Sequence, residues 1–201
     1  MNRIIITLFL SATLTAAFSQ GFDGGLLGGL AGTQVDGDGY GGYDKLGFIG
    51  GVWVNRPLTN NYHLEFQIRY IQKGSYWDRK QDGIRVEFYR LKLNYMEVPT
   101  LISREIKDDI FIVGGITAGY LWSVSEKREG EYRAWEDEKN FRRIEMSAKI
   151  GGEYQFHSSW SVSAFFSYSL YPIRPFTVYS DWRRRMGQTN NVLELYLKYM
   201  F

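Results

Sequence analysis

The chain contains no cysteine, only two histidines and only four prolines in 201 residues. Without thiols there is no disulfide framework, thiolate metal site, cysteine nucleophile or lipidated N-terminal cysteine. The histidines, His63 and His157, lack the HxxxH or HxH spacing of a metal site, so neither metal nor cofactor is expected. Charge of one sign is missing too. A net +2 leaves no global field to select a nucleic acid or an acidic partner. Long hydrophobic runs are absent beyond residue 20, and mean hydropathy is −0.31, so no helix of about 20 apolar residues can span a bilayer.

Aromatic residues, in contrast, are abundant at 17%, with 15 Tyr, 13 Phe and 6 Trp. Tyrosine and tryptophan collect where one end of a ring is apolar and the other wet, as at a membrane interface. The N-terminus has the layout of an export signal: Met1-Asn2-Arg3 carries the charge, Ile4 to Leu10 the apolar run, and Ala17-Phe18-Ser19 the small residues before a cut. Residues 1–19 are therefore expected to be a cleaved signal peptide, leaving 20–201 as one domain.

From there on, period-2 alternation dominates. Leu193, Leu195, Leu197, Tyr199 and Phe201 alternate with Glu194, Tyr196, Lys198 and Met200. Ile144 to Phe156, Tyr62 to Ile71 and Trp160 to Leu170 repeat the scheme, and Gly24–Val35, Leu46–Asn55, Arg85–Tyr95 and Ile110–Trp122 are weaker examples. These eight segments form an even set, as an antiparallel barrel with both termini at one end requires. Pro99 is expected to mark a bulge or the exit of the fourth strand. The links alternate in length. Pro57–Asn61, Ser103–Asp109 and His157–Ser159 are short, whereas Asp36–Tyr43, Ser75–Ile84, Ser125–Asn140 and Pro175–Asn190 are longer and polar. Short periplasmic turns and long extracellular loops sort this way in outer-membrane barrels. The expected fold is all-β, an eight-stranded antiparallel up-and-down transmembrane β-barrel.

Spacing along the strands agrees with a membrane. Tyr62 and Tyr70 share a face, as do Trp160 and Tyr168. Eight residues on a tilted strand rise roughly 20 Å, against an apolar band of ~25 Å flanked by aromatic girdles. Those four rings are expected in the girdles, with Tyr154, Phe156, Tyr199 and Phe201 at the periplasmic edge and Trp122 at the outer one. The opposite faces then place Glu65, Arg69, Arg90, Lys92, Glu145, Lys149, Glu153, Glu194 and Lys198 in the lumen. Eight strands enclose just enough space for side chains, so these charges are read as a structural network that fills the interior rather than as an ion path.

No catalytic group is expected. His157-Ser158 with Glu153 could evoke a hydrolase, but the pair sits in a tight turn, where serine bonds its own backbone. The glycine pairs lack the strand–loop–helix context of a phosphate cradle. Two loops carry opposite charge: Glu126–Lys139 is acidic on balance, and Trp182 precedes Arg183, Arg184 and Arg185. The arginines are candidates for anion contacts with lipopolysaccharide phosphates, beside the simpler reading that both loops are solvated.

The early glycine-rich strand, Tyr70-Ile71-Gln72-Lys73-Gly74, Asn94-Tyr95-Met96-Glu97-Val98-Pro99 and the terminal Phe201 together resemble the PorT-like outer-membrane β-barrels, of the OmpA/OmpX-like eight-stranded type. That resemblance implies residence in the outer membrane, contact with its lipid and lipopolysaccharide, and recognition of the last strand by the barrel-assembly machinery. It implies little about activity; the residues themselves are read as those of a non-enzymatic protein with a packed lumen, acting in secretion, adhesion or envelope integrity, with a protein partner met through the extracellular loops and no nucleic acid. A narrow channel, a lipocalin-like ligand carrier and a barrel enzyme acting on envelope lipids are the alternatives.

Overall fold

The computed structural model describes residues 21–58, 61–81, 84–130, 141–174 and 187–201, the side chains of 84–85 and 128–130 excepted. Eight strands follow one another: β1 (Asp23–Asp36), β2 (Lys45–Pro57), β3 (Tyr62–Gln81), β4 (Ile84–Lys107), β5 (Ile110–Gly130), β6 (Ile144–His157), β7 (Trp160–Ser169) and β8 (Thr189–Met200). Each pairs antiparallel with the next, and β1 pairs with β8 from Gly25–Met200 to Asp36–Thr189, which closes the barrel. Closure satisfies every strand edge within the ring, the condition a sheet must meet in lipid.

Alternation sets which way each residue points. Along β8, Leu193, Leu195, Leu197 and Tyr199 are exposed on the outside while Val192, Glu194, Tyr196 and Lys198 are buried within. The same sorting holds on β1 (Leu26 and Leu30 out, Leu27 and Ala31 in) and on β6 (Ile144 and Ile150 out, Glu145 and Lys149 in). A soluble lipocalin-like carrier requires apolar residues inside and polar ones outside. Here that order is reversed.

Three strands depart from their expected lengths. β3, β4 and β5 run on well past the rest of the barrel: Gln72–Gln81 pairs with Ile84–Asn94, of which Glu87–Asn94 pairs in turn with Ser123–Gly130. Most of the polar stretch read as a long loop from Ser75 to Ile84 is therefore hairpin, and Ser125–Gly130, read as loop, is strand. Aromatic and β-branched residues of the β3–β4 hairpin, among them Tyr76, Trp77, Val86, Phe88 and Tyr89, favour pairing despite the charges between them. β4 also continues through Pro99 to Lys107, so Pro99 marks neither a bulge nor an exit. Proline supplies no N–H, and pairing with β3 lapses between Phe66–Thr100 and Arg69–Glu97 before resuming in the same register. The link read as Ser103–Asp109 shrinks to Asp108-Asp109, with Asp109 at φ 67° closing the turn.

Among several register shifts, one on β5 changes which residues face inward. Tyr95 faces Leu121 and Asn94 faces Ser123, leaving Trp122 as the extra residue. Below it the inward residues of β5 include Val113, Thr117 and Leu121; above it Glu126 points inward. One inserted residue thus exchanges the two faces of the strand.

Candidate functional site

The middle of the lumen is filled by a connected ionic network. Arg69 is 1% exposed and forms a double fork. Its Nε and Nη2 donate to Glu97 Oε2 at 3.0 and 2.6 Å, and its Nη1 and Nη2 donate to Glu194 at 2.6 and 3.0 Å. Lys149 reaches Glu194 at 2.6 Å, and Lys73 bridges Glu97 and Glu145 at 2.6 and 3.1 Å. Nearer the short turns, Lys198 ties Glu65 to Glu153. Five carboxylates meet four cations in this set, so neutral donors must supply the remainder. Ser161 and Ser163 donate to Glu153, Ser169 and Asn190 to Glu145, and Gln67 to Glu65. Rings line the ammonium groups: Lys149 lies 4.2 Å from the Phe165 centroid, Lys73 5.0 Å from Tyr95 and Lys198 4.2 Å from Trp53. An isolated buried charge costs several kcal/mol, and this degree of pairing is what allows so many to be enclosed.

Backbone makes room for the network. Gly51 lies opposite Arg69, and a Cβ there would fall 2.7 Å from the Arg69 Cα; Gly29 likewise faces Tyr196 at 2.5 Å. The glycine-rich character of β1 and β2 therefore has a steric cause.

Toward the long-loop end the interior changes character. Leu91, Leu93, Leu121, Val35 and Ile173 are fully buried, and Tyr89 is 1% exposed. The link after β1 places Tyr40 on this face, stacked on Tyr89 with centroids 4.6 Å apart and 6.0 Å from Trp77. Tyr40 donates to Glu87 and Tyr89 to Glu126, each at 3.0 Å. Arg174 binds Glu126 at 2.6 Å and lies 3.9 Å from the Phe141 ring centroid. Burial, then the Glu126 carboxylate, pushes the Tyr89 phenol up from its ordinary 10.0. Chain from three separate links thus packs as a cap over the inner face of the β3–β5 extension.

At the short-turn end the interior opens into a cup of about 220 Å³. Its lining includes Asp23, Glu65, Glu153 and Lys198, with Trp53, Phe111 and Trp160 as aromatic members.

Of the charges expected in the lumen, Glu65, Arg69, Glu145, Lys149, Glu194 and Lys198 are buried there, and Glu153 is half-buried at the cup. Arg90 and Lys92 are corrected. Both are exposed on the outside of β4, while Tyr89, Leu91 and Leu93 point inward. This part of β4 lies above the apolar band, where the outside is water and the charges belong there. Lys73 and Glu97, absent from the expected set, are central to the network. Continuing the face of Arg69 by two and four residues reaches Ile71 and Lys73, and Glu97 follows from the inward face of Leu91, Leu93 and Tyr95.

The expected girdle residues Tyr62, Trp122, Tyr154, Phe156, Trp160, Tyr168, Tyr199 and Phe201 are exposed, and Tyr70 is half-buried. Trp160, Tyr199 and Phe201 form a chain of rings with centroids 4.9 and 5.9 Å apart. Above Tyr70 a polar ribbon begins. Gln72 donates to the Tyr70 hydroxyl, which donates to Asn94, whose amide donates to Ser123. Ser158 and His157 are exposed with 3.4 Å between Oγ and Nδ1, and Glu153 is engaged by Ser161, Ser163 and Lys198, so the three do not converge. Among the described residues no group of acidic and histidine side chains is placed to hold a metal. Arg183, Arg184 and Arg185 lie outside the described residues, as does most of the acidic loop.

Comparison with known proteins agrees with this geometry. The outer membrane protein β-barrel domain family matches residues 17–174. The chain belongs to that family. As an outer-membrane β-barrel protein it resides in the cell outer membrane. It has the fold of Ail, the attachment invasion locus protein of Yersinia pestis, solved with the heparin analogue sucrose octasulfate: TM-score 0.50, 14% identity, covering 90% of this chain and 99% of that one. Neisserial surface protein A is similar at TM-score 0.51 and 13% identity, covering 90% of this chain and 97% of its own. No curated protein matches the sequence.

Proposed function

We propose that this outer-membrane barrel is a non-enzymatic surface-contact protein that acts in adhesion through the β3–β5 extension. The observation that carries the reading is that the lumen is filled by ion pairs and capped, while three strands continue beyond the girdle. A filled interior suits an anchor better than a channel. The outward face of the extension presents Lys80, Arg90, Lys92 and Lys127, all exposed. Such a face suits a polyanionic surface, whether sulfated glycan or lipopolysaccharide phosphate. The complex of Ail with a heparin analogue supports the same ligand class. The PorT-like resemblance through Tyr70–Gly74 and Asn94–Pro99 and an exported precursor cleaved before Gln20 fit this reading.

Adhesion of cells displaying the protein to heparin-coated surfaces tests it, with a variant shortened from Asp78 through Glu87 as the comparison and heat-modifiable gel mobility as the check on assembly. The wild type adheres in a salt-sensitive manner and the shortened, assembled variant does not. Equal adhesion by both would remove the extension from the function. Planar-bilayer recordings of the purified protein show no stable, large openings; such openings would favour the channel.

A further inference from the structure

We infer that the cup at the short-turn end is a binding site for a primary ammonium group on a short aliphatic stem, entering from the periplasmic side. The cup is separate from the extension and stands whether or not the adhesion reading does. Its lining carries three carboxylates, Asp23, Glu65 and Glu153, against the single ammonium of Lys198, an excess of two negative charges. Net negative charge at the mouth of a low-dielectric barrel concentrates cations.

Polar atoms in the cup also wait for a partner. Asn55 and His63 both line it, and Asn55 Oδ1 and His63 Nδ1, each shielded from solvent, have no hydrogen-bond partner. Behind the floor Gln67, 1% exposed, donates to Glu65 and to the Tyr196 hydroxyl while its Oε1 is left unpaired. Buried polar atoms are paired in most proteins, and unpaired ones point to a missing partner. The orphans at the cup are an amide oxygen, which accepts, and a ring nitrogen, which accepts in one tautomer. A primary ammonium offers three donors and needs three acceptors. Asn55, His63 and one carboxylate edge supply them, since the Glu65 and Glu153 side chains retain 10% and 17% of their exposure.

The barrel already holds one ammonium by the same chemistry. Lys198 sits between Glu65 and Glu153 with its Nζ 4.2 Å from the Trp53 ring centroid. Further rings, Phe111 and Trp160, line the same cavity, and the His63 ring meets Phe111 edge-on at 5.6 Å. Aromatic faces and methylene groups suit each other, and an aromatic wall attracts the charged end. At about 220 Å³ the space takes a head group and stem and is smaller than pockets for drug-sized molecules. A planar guanidinium, with five donors in a fixed fork, exceeds the acceptors on offer.

The test is calorimetric titration of the full-length barrel, refolded in detergent micelles, with cadaverine, with Nα-acetyl-lysine methylamide and with benzoate as the anionic control. Either amine binds saturably and benzoate does not. Cadaverine alone binding identifies a free polyamine as the source of the amine, and binding of the blocked lysine identifies an amine carried on a peptide. The Asn55→Leu/His63→Phe double variant, which removes both orphan acceptors, weakens amine binding by about tenfold. Asp23→Asn, at the exposed rim and away from packing, weakens it by about threefold. Retained heat-modifiable mobility shows that each variant is folded. Absence of saturable amine binding, equal binding of benzoate, or unchanged affinity in both variants would overturn the assignment.

Discussion

Within the membrane band this barrel is charged inside and apolar outside, and in the β3–β5 extension it is largely aliphatic and aromatic inside, with Glu87 and Glu126 held by Tyr40, Tyr89 and Arg174, and charged outside. β4 crosses from one regime to the other. Between Glu97, buried in the ionic network, and Leu91, buried in the cap, the inward residues pass from carboxylate through Tyr95 and Leu93 to hydrocarbon. On its outer face Val98 and Met96 give way to Asn94, Lys92 and Arg90. The change follows from the solvent. Lipid accepts hydrocarbon and leaves the charges to be paired inside, whereas water takes the charges and drives hydrocarbon inward. One unbroken strand can serve both because alternation fixes only which residues share a face, and the surroundings decide which face turns inward.

Breaking the ionic side of this contrast has the largest expected effect. Arg69→Met leaves Glu97 and Glu194 without their principal partner, and removing one member of a buried pair costs about 3–5 kcal/mol. Urea unfolding of the protein in lipid vesicles reads the loss. Next comes the outer face. Leu195→Arg, on the lipid side of β8, destabilises by about 2–4 kcal/mol, whereas Val86→Arg on the extension changes stability by less than about 0.5 kcal/mol. Equal costs at the two positions would erase the contrast. Smallest is Tyr89→Phe, which removes the hydrogen bond to Glu126 and costs about 1 kcal/mol in the same unfolding measurement.

Tyr89 also gives the cap a pH signature. Its phenol is held above the ordinary 10.0 in the folded protein. The folded state therefore retains a proton that the unfolded state loses. The contribution is complete below pH 10.0 and declines as pH rises from there through the folded value. Stability measured across that alkaline range falls less steeply in Tyr89→Phe than in the wild type.

Much of the barrel was legible in the sequence because alternation on β6, β7 and β8 is nearly uninterrupted. The charged faces of β3, β6 and β8 were readable for the same reason. What misled was the assumption that charge on a strand means lumen. It fails for Arg90 and Lys92, since a single sequence does not show where along β4 the lipid ends. The same assumption hid Glu97 on the opposite face of that strand. Lys73 was lost where the strand was taken to stop, and the bulge at Trp122 has no sequence mark comparable to a glycine or proline. Cap and cup depend on bringing together separate segments, Tyr40 with Tyr89 in the cap or Trp53, Phe111 and Trp160 around the cup, which alternation does not encode.

Because the chain has no cysteine, single cysteines can carry spin labels on an otherwise silent background. Labels at Arg90, Lys92, Met96, Val98 and Ile102 on the outer face of β4, in protein reconstituted into vesicles, report collision with oxygen, which favours lipid, and with a water-soluble nickel chelate. Chelate access is expected at Arg90 and Lys92 and oxygen access at Met96, Val98 and Ile102, with the crossover at Asn94. Labels at Arg90 and Lys92 that are shielded from both reagents, or that behave like those at Val98, would contradict this expectation.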